Sequence, residues 1–264
     1  MRPPNEGLRQ GATTRMECRD LLFDLGNTRA KAARRTAQGL GPVQAFAYAE
    51  TEVWARLEAW VAEAATGGAR AWIASVTRPG RTRRLAGLLR RHGLAVHRVG
   101  PPTSDACLEL AYADPTRLGV DRWLAMRAVR RRLQGPFVLA ACGSALTVDA
   151  VDAQGRHLGG VIAPAPERAL EALRARAPHL PPATGPVTAL ARDTASALHS
   201  GAWLSAVGLI GLVQAQAAAA TGGSLRLVLT GGGAAALQAL LAEPAERLEH
   251  AVLQGLADLA EAVA

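Results

Sequence analysis

Hydrophobic positions along the chain form two kinds of pattern that follow one another in a regular order. Short continuous apolar runs are typical of buried strands, and apolar residues at every third or fourth position are typical of helices. In the first part of the chain these patterns predict strands at 20–26, 30–35, 43–48, 70–76 and 94–98, and helices at 51–65, 82–91 and 121–133. In the second part they predict strands within 137–149, 156–162 and 225–233, and helices at 166–176, at 191–220 and near the C-terminus.

The same order of elements occurs twice, which predicts a duplicated α/β fold of two halves with a central cleft. We place the halves at residues 19–134 and 135–264, after a leader at 1–18 that we expect to be disordered. Each half begins with a strand that ends in a turn containing glycine and a hydroxyl residue. The two turns are Gly26-Asn27-Thr28 and Gly143-Ser144. Such turns, facing each other across a cleft, are suited to holding a polyphosphate.

An acidic residue stands at the end of the first predicted strand, where burial should be deepest. Asp24 follows the apolar run at 21–23, and a buried carboxylate is unfavourable unless a partner compensates its charge. One interpretation is a site for a metal ion and phosphate oxygens, because the acid, backbone N–H groups and a hydroxyl share one turn. The other interpretation is a polar hairpin tip in which Asp24 caps its own turn. The residues alone leave both open.

Composition excludes several classes of protein. The net charge is +8 and the isoelectric point about 10.7, but the basic residues are scattered and aromatic residues make up only 4% of the chain, which argues against nucleic-acid binding. Polar residues interrupt the most apolar stretch, 202–220, so we expect no membrane segment. Three cysteines without CxxC spacing favour a reducing, cytoplasmic location over a disulfide framework or a zinc site.

The sequence lacks the common nucleotide-binding motifs. Lys31 is the only lysine in the chain, so a Walker P-loop is impossible, and no GxGxxG motif follows a strand. A phosphate-handling enzyme with this sequence must therefore rely on backbone amides, a metal ion and arginine.

A second candidate site lies in the segment YADPTRLGVDRW at 112–123. Asp121 stands at a predicted helix start, where an acid caps free N–H groups; beside a cleft it can instead serve as a general base toward a hydroxyl. Arg122 is suited to binding a substrate carboxylate at two points. The two glycines at 159–160 mark either the close approach of a ligand or of another backbone, or a bulge. The segment LTGGG at 229–233 ends a strand, where open α/β sheets bind ligands.

The order of these segments is more specific than any one of them. DLGNT, YADPTRLGVDRW, GSALTVD, LGGVIAP, DTASALHSG and LTGGG follow one another from about residue 21 to the end, and this series resembles the type III pantothenate kinases. The resemblance implies a duplicated acetate and sugar kinase/heat-shock-70/actin fold, with two ribonuclease-H-like halves, and a cytoplasmic homodimer. It also implies transfer of the ATP γ-phosphate to pantothenate, giving 4′-phosphopantothenate in the first step of coenzyme A biosynthesis.

The resemblance also implies roles for individual residues. Asp24, acting through Mg²⁺, and Asp121, as the base on the pantothenate hydroxyl, are the catalytic residues. The residues implied to bind ATP phosphates are Asp24, Gly26, Asn27, Thr28, Gly143, Ser144 and Thr147. Those implied to bind pantothenate are Tyr112, Gly119, Val120, Asp121, Arg122 and Thr194.

Two positions depart from the family pattern. The second phosphate motif of the family carries an acid where this chain has Ala141, so the sequence leaves a requirement for K⁺ or NH₄⁺ open. Ala165 replaces a glycine that follows Pro164, which affects only a backbone turn. The missing acid also keeps an alternative function open, a catalytically weakened relative that acts as an accessory protein in gene regulation. Retention of both Asp24 and Asp121 favours the kinase.

Overall fold

The computed structural model describes residues 19–65 and 68–263. The leader predicted at 1–18, which includes Cys18, lies outside the described residues. The remaining elements follow the predicted order, with differences at their ends that have local causes.

The first half of the chain builds one mixed sheet. Its strands are β1 (Asp20–Leu25), β2 (Arg29–Thr36), β3 (Gly39–Leu40), β4 (Gln44–Ala47), β5 (Arg70–Ser75) and β6 (Ala95–Arg98). They lie in the order β3-β2-β1-β5-β6, with β4 paired to β2. Strand β2 runs antiparallel to β1, whereas β5 runs parallel to β1 and β6 parallel to β5.

The second half builds a sheet with the same arrangement. Its strands are β7 (Phe137–Cys142), β8 (Ala145–Val151), β9 (His157–Pro164), β10 (Arg226–Thr230) and β11 (Glu246–Arg247). Their order is β11-β10-β7-β8-β9, in which β8 is antiparallel to β7 and β10 is parallel to it. Strands β7, β8, β10 and β11 thus repeat the positions and directions of β1, β2, β5 and β6. The repetition predicted from the sequence is present in the two sheets.

The helices are α1 (Val53–Ala64), α2 (Pro79–Arg91), α3 (Val120–Arg132), α4 (Pro166–Arg176), α5 (Thr194–Thr221), α6 (Ala234–Gln238) and α7 (Ala251–Ala262). Helix α2 begins three residues earlier than predicted, because Pro79 occupies a first-turn position in which its missing N–H is not needed. Strand β10 ends before the glycines expected to extend it, since Gly231 turns the chain with a φ of 91°.

The hydrophobic core consists of three clusters separated by the sheets. One packs α1 and α2 against the outer face of the first sheet, and another packs α5 and α6 against the outer face of the second. The third lies between the sheets and contains α3 and α7, with Leu22 from β1 and Phe137 from β7. A side chain at Gly255 of α7 would overlap the backbone of Leu124 in α3, so a glycine lets these two helices approach closely. This central layer determines where the N-terminus of α3 meets the cleft.

Helix α5 is the one described helix that is long and apolar enough to cross a bilayer. Its most apolar window has a mean hydropathy of 1.4, and 22% of that window is buried. Length and composition alone are weak grounds for a membrane span, because core helices of non-membrane proteins pass the same test.

Candidate active site

The two glycine-hydroxyl turns meet. In the β1–β2 turn the Gly26 N–H donates to the Arg29 carbonyl at 3.2 Å, and in the β7–β8 turn the Gly143 N–H donates to the Ala145 carbonyl at 2.9 Å. The hydroxyls of Thr28 and Ser144 are 2.7 Å apart, within hydrogen-bonding distance, although 116 residues separate them in sequence. The fold therefore brings together the two segments predicted to bind phosphate.

Asp24 lies next to these turns on β1, directly across from Lys31 on β2. Burial raises the pKa of Asp24 to about 6; the Lys31 charge lowers it, and the Asp121 carboxyl raises it further. Asp121 therefore lies near enough to Asp24 for its charge to act on that carboxyl, although 97 residues separate them in sequence.

Asp121 lies in the first turn of α3. Its Oδ1 accepts a hydrogen bond from the Arg122 N–H at 2.8 Å. Burial raises the pKa of Asp121, whereas that hydrogen bond and the Arg122 charge lower it. Gly119 stands at the N-cap of the helix, and a Cβ there would overlap Asp121 Oδ1. The helix start thus holds Asp121 where a glycine leaves room for its carboxylate.

Arg122 is buried and already has partners. Its Nε donates to Asp149 Oδ2 at 3.0 Å and its Nη2 to Asp149 Oδ1 at 2.5 Å. Its Nη1 donates to the Tyr112 hydroxyl at 2.9 Å. Burial opposes the charge on the guanidinium, but the bonds to Asp149 raise the pKa of Arg122 above its usual value. Of its five N–H donors, two therefore remain for a ligand, and its charge is balanced by Asp149.

Sequence reasoning assigned no role to two residues of this network, Asp149 and His157, and singled out Gly160 without its neighbours. Asp149 is 1% exposed on β8, and its Oδ1 lies 3.0 Å from His157 Nε2. The His157 ring stacks on Tyr112, with centroids 6.1 Å apart and planes at 10°. A Cβ at Gly160 would overlap Asp149 Oδ1 and approach Arg122 Nη2. The signal was present at Asp149, an acid within an apolar strand, just as it is at Asp24.

The glycine pair at 159–160 does not interrupt β9. The strand continues through both residues, and the register between β8 and β9 shifts between Ala150 and Val151. Gly159 has a φ of 118° beside this shift. The bulge interpretation therefore holds at Gly159, and the close-approach interpretation holds at Gly160, where the approaching group is the Asp149 side chain.

The remaining predicted residues are Val120, Thr147 and Thr194. Val120 is buried as the first residue of α3, and Thr147 on β8 lies directly across from Ala141 on β7. Thr194 is the exposed first residue of α5, after the N-cap Asp193. Within the described residues, no hydrogen bond connects Thr194 to the Asp24 and Asp121 region.

The glycines of LTGGG pack against the second phosphate turn. A Cβ at Gly231 would overlap the Cys142 carbonyl, and one at Gly233 would overlap Cys142 Sγ. Burial raises the pKa of the Cys142 thiol to about 11, so at neutral pH this side chain is an uncharged packing group.

The available donors suit magnesium better than a transition metal. The described residues contain no cluster of three or more His, Cys, Asp or Glu side chains that could hold a metal. Magnesium in kinases is held by one or two carboxylates, substrate phosphates and water, and Asp24 beside two hydroxyl-bearing turns fits that requirement.

Fold comparisons define the class of protein. A Baf family transcriptional activator from Campylobacter jejuni superimposes with a TM-score of 0.63 at 19% identity, covering 92% of this chain and 98% of that one. A 2-dehydro-3-deoxygalactonokinase from Sinorhizobium meliloti superimposes with a TM-score of 0.55 at 14% identity, with the same coverage. The chain thus has the predicted actin, heat-shock-70 and sugar kinase fold.

Sequence comparison identifies the family within this class. The family model for type III pantothenate kinase matches residues 20–217. A type III pantothenate kinase from Xanthomonas campestris is 43% identical over 237 residues, covering 89% of this chain and 95% of the relative. One from Stenotrophomonas maltophilia is 40% identical over 238 residues, covering 90% and 96%. The chain belongs to the type III pantothenate kinase family, and it is a kinase that uses ATP as phosphoryl donor.

Proposed function

We propose that this protein transfers the γ-phosphate of ATP to pantothenate, giving 4′-phosphopantothenate in the first step of coenzyme A biosynthesis. The observation that carries the proposal is the contact between the Thr28 and Ser144 turns next to Asp24, whose pKa the charge of Asp121 raises. Phosphoryl transfer needs positioning and charge neutralisation more than covalent chemistry, and this arrangement supplies groups for both.

In this proposal the two turns bind the phosphates. The donors are the backbone N–H of Asn27 and the hydroxyls of Thr28, Ser144 and Thr147, whereas Gly26 and Gly143 shape the turns through their N–H bonds to Arg29 and Ala145. Asp24 holds Mg²⁺, which neutralises charge on the phosphate oxygens. This assignment uses the backbone, hydroxyl and metal groups that a chain without a P-loop has available.

Asp121 acts as the general base. Burial raises its pKa, which makes its carboxylate a better proton acceptor than an exposed aspartate, and the first turn of α3 holds it in place. In the proposed reaction it accepts the proton of the primary hydroxyl of pantothenate as the oxygen attacks the γ-phosphorus. The leaving group is ADP.

Pantothenate binding involves Tyr112, Gly119, Val120, Arg122 and Thr194. Because Asp149 already occupies two donors of Arg122, we propose that Arg122 orients the substrate through its remaining N–H groups. In this proposal Arg122 does not bind the substrate carboxylate through two parallel hydrogen bonds, because Asp149 already occupies that pair of donors.

A homodimer is supported by the exposed apolar surface of the second half. Ile162 on β9 is 64% exposed and Leu212 on α5 is 57% exposed, and Leu158, Val161 and Leu173 of the same half are exposed as well. Several large apolar side chains exposed in one half of an isolated chain fit a protein interface. We propose that a second copy covers them and that the dimer resides in the cytoplasm, with no nucleic-acid or membrane partner. Light scattering of the wild type and of L212E tests this, since the variant is expected to be monomeric.

The cation requirement follows from Ala141. With no carboxylate at that position on β7, we propose that K⁺ or NH₄⁺ stimulates this enzyme little. Equal rates in KCl and in tetramethylammonium chloride are expected, and strong stimulation by K⁺ would contradict this.

One assay tests the main proposal. Purified protein with ATP, Mg²⁺ and pantothenate is expected to form phosphopantothenate, and omitting any component abolishes the product. The variant D121N is expected to fold normally and to lose about 10²- to 10⁴-fold in turnover, the usual contribution of a general base. Wild-type turnover in D121N would remove the base assignment. The related sequences give no support to the alternative of a catalytically weakened accessory protein, which predicts very little product even from the wild type.

A further inference from the structure

Arg81 lies beside the first phosphate turn although it belongs to a distant segment. It is in the first turn of α2, which follows β5, and β5 runs parallel to β1. The two strand ends are joined where the Val76 N–H donates to the Leu25 carbonyl at 3.1 Å. The start of α2 is therefore a direct neighbour of residues 26–28.

Three contacts hold the Arg81 side chain against that turn. Its Nη1 donates to the Asn27 carbonyl at 2.8 Å and to Thr77 Oγ1 at 3.0 Å. Its Cζ lies 3.8 Å from the centre of the Tyr48 ring, and the Tyr48 N–H donates to the Thr28 carbonyl at 3.0 Å. The guanidinium is thus fixed between an aromatic face and the backbone of the turn.

The charge of Arg81 is not balanced by an acid. No carboxylate forms an ion pair with it in the described part of the chain, and its Nε and Nη2 have no hydrogen-bond partner there. The first turn of α2 contains no acidic residue, and its N-cap has no side-chain hydrogen bond. The positive end of the helix dipole therefore adds to the arginine charge on the same side of the turn.

Nucleotide phosphates would supply the negative charge that balances Arg81 at the start of α2. An arginine has a planar fork of donors that can bond a carbonyl with one arm and a phosphate oxygen with another. A chain with a single lysine and no P-loop needs such a cation, and Arg81 is already oriented by Asn27 and Tyr48.

We propose that Arg81 binds the phosphate chain of the nucleotide from the α2 side of the turn at 26–28, through its unpaired Nε and Nη2 groups. The inference rests on the proposed function only in placing the nucleotide phosphates at that turn. It assigns a phosphate ligand outside the glycine-hydroxyl motifs.

Arg84 provides a matched control. It lies one turn later on the same helix and stacks on Trp54, with its Cζ 4.4 Å from the ring centre. R84Q removes the same charge and the same kind of stacking without touching the phosphate turn. A difference in ATP affinity between R81Q and R84Q therefore arises from the position of Arg81 beside the turn at 26–28.

The test is calorimetric titration of the wild type, R81Q, R81K and R84Q with Mg·ATP, together with their steady-state kinetics. R81Q is expected to bind ATP about 10- to 100-fold more weakly, as for loss of a hydrogen bond to a charged group, with KM for pantothenate unchanged. R81K keeps the charge and is expected to recover part of the affinity, and R84Q to match the wild type.

Two results would overturn the inference. One is an ATP affinity of R81Q equal to that of R84Q. The other is a melting temperature of R81Q well below that of R84Q together with equal increases in both KM values, which would make Arg81 a packing residue. Because the titration contains no pantothenate, a wild type that binds ATP without phosphorylating pantothenate would refute the proposed function and leave this inference standing.

Discussion

The hydroxyl oxygens of Thr28 and Ser144 lie 2.7 Å apart and join the first turn of one half of the protein to the first turn of the other. Each hydroxyl is also a potential phosphate ligand. In the proposed function, nucleotide phosphates that enter between the turns would replace this contact with bonds to their own oxygens. The pair marks the point at which the two copies of the repeated motif meet.

Removing one hydroxyl should weaken ATP binding without unfolding the protein. We expect S144A to raise the ATP dissociation constant by about 2- to 10-fold, the effect of one neutral hydrogen bond, and to leave the melting temperature nearly unchanged because the pair is exposed. Calorimetry on T28V, S144A and the double variant checks this. If the two hydroxyls bind the same phosphate, their effects are not additive; strictly additive losses would contradict a shared ligand.

Replacing Asp24 should stabilise the metal-free protein at neutral pH. The pKa of Asp24 is about 6 in the fold against 3.8 in the unfolded chain. Ionisation of Asp24 therefore lowers the free energy of unfolding by about 3 kcal/mol. Because the folded pKa is the higher one, the fold favours the protonated carboxyl over the carboxylate. The wild type therefore has its full stability below about pH 4 and loses this contribution as the pH rises through 6. The amide introduced by D24N does not titrate. The free energy of unfolding of D24N should therefore exceed that of the wild type increasingly between about pH 4 and pH 6, and by a constant amount above pH 6.

Denaturant unfolding in EDTA at pH 4 and pH 8 tests this prediction. We expect equal stability of D24N and the wild type at the lower pH, greater stability of D24N at the higher pH, and no kinase activity of D24N at either. A variant that is less stable than the wild type at pH 8 would show that Asp24 is favourably paired in the fold.

Asp149 should be essential for the stability of the region around Arg122. Removing one member of a buried ion pair leaves the other charge uncompensated and typically costs about 3–5 kcal/mol. We expect a loss of that size in D149N, together with a raised KM for pantothenate. E63Q breaks an ion pair in which the Glu63 side chain is 79% exposed and should cost less than about 1 kcal/mol. Similar losses in the two variants would mean that Arg122 is solvated after all.

Gly160 is expected to tolerate no side chain. Alanine there places a methyl group against Asp149 Oδ1 and the Val148 carbonyl, so G160A should lower the free energy of unfolding and raise KM for pantothenate through movement of Arg122. Gly87 in α2 has open space around it, and G87A should stabilise the helix by up to about 1 kcal/mol. Unfolding curves and pantothenate kinetics of both variants measure the contrast.

Much of the fold could be predicted from local patterns, because strands and helices impose different spacings on apolar residues. The repeated order of elements was visible for that reason, and so was the family, whose segments are short and lie in a fixed order. Element ends were less predictable. Helix α2 begins at Pro79 and β10 ends before Gly231 because the backbone preferences of single residues decide such positions.

The partners of Arg122 could not be predicted in the same way. A sequence shows an arginine after Asp121, but not that Asp149 on another strand occupies its donors. Asp149 itself was detectable as an acid in an apolar strand, yet nothing local connects it with α3. Arg81 was hidden among many arginines, and only its contacts at Asn27 and Tyr48 distinguish it.

The amino-acid sequence was sufficient to predict the helices and strands, their repeated order, and Asp24 and Asp121 as candidate site residues. Each of these is visible in a short local pattern of residues. The folded chain alone determined that Thr28 meets Ser144, that the charge of Asp121 acts on Asp24, and that Arg122 is neutralised by Asp149. These relationships join residues far apart in the chain, and they arise only when burial of the layer between the two sheets brings the strand ends together.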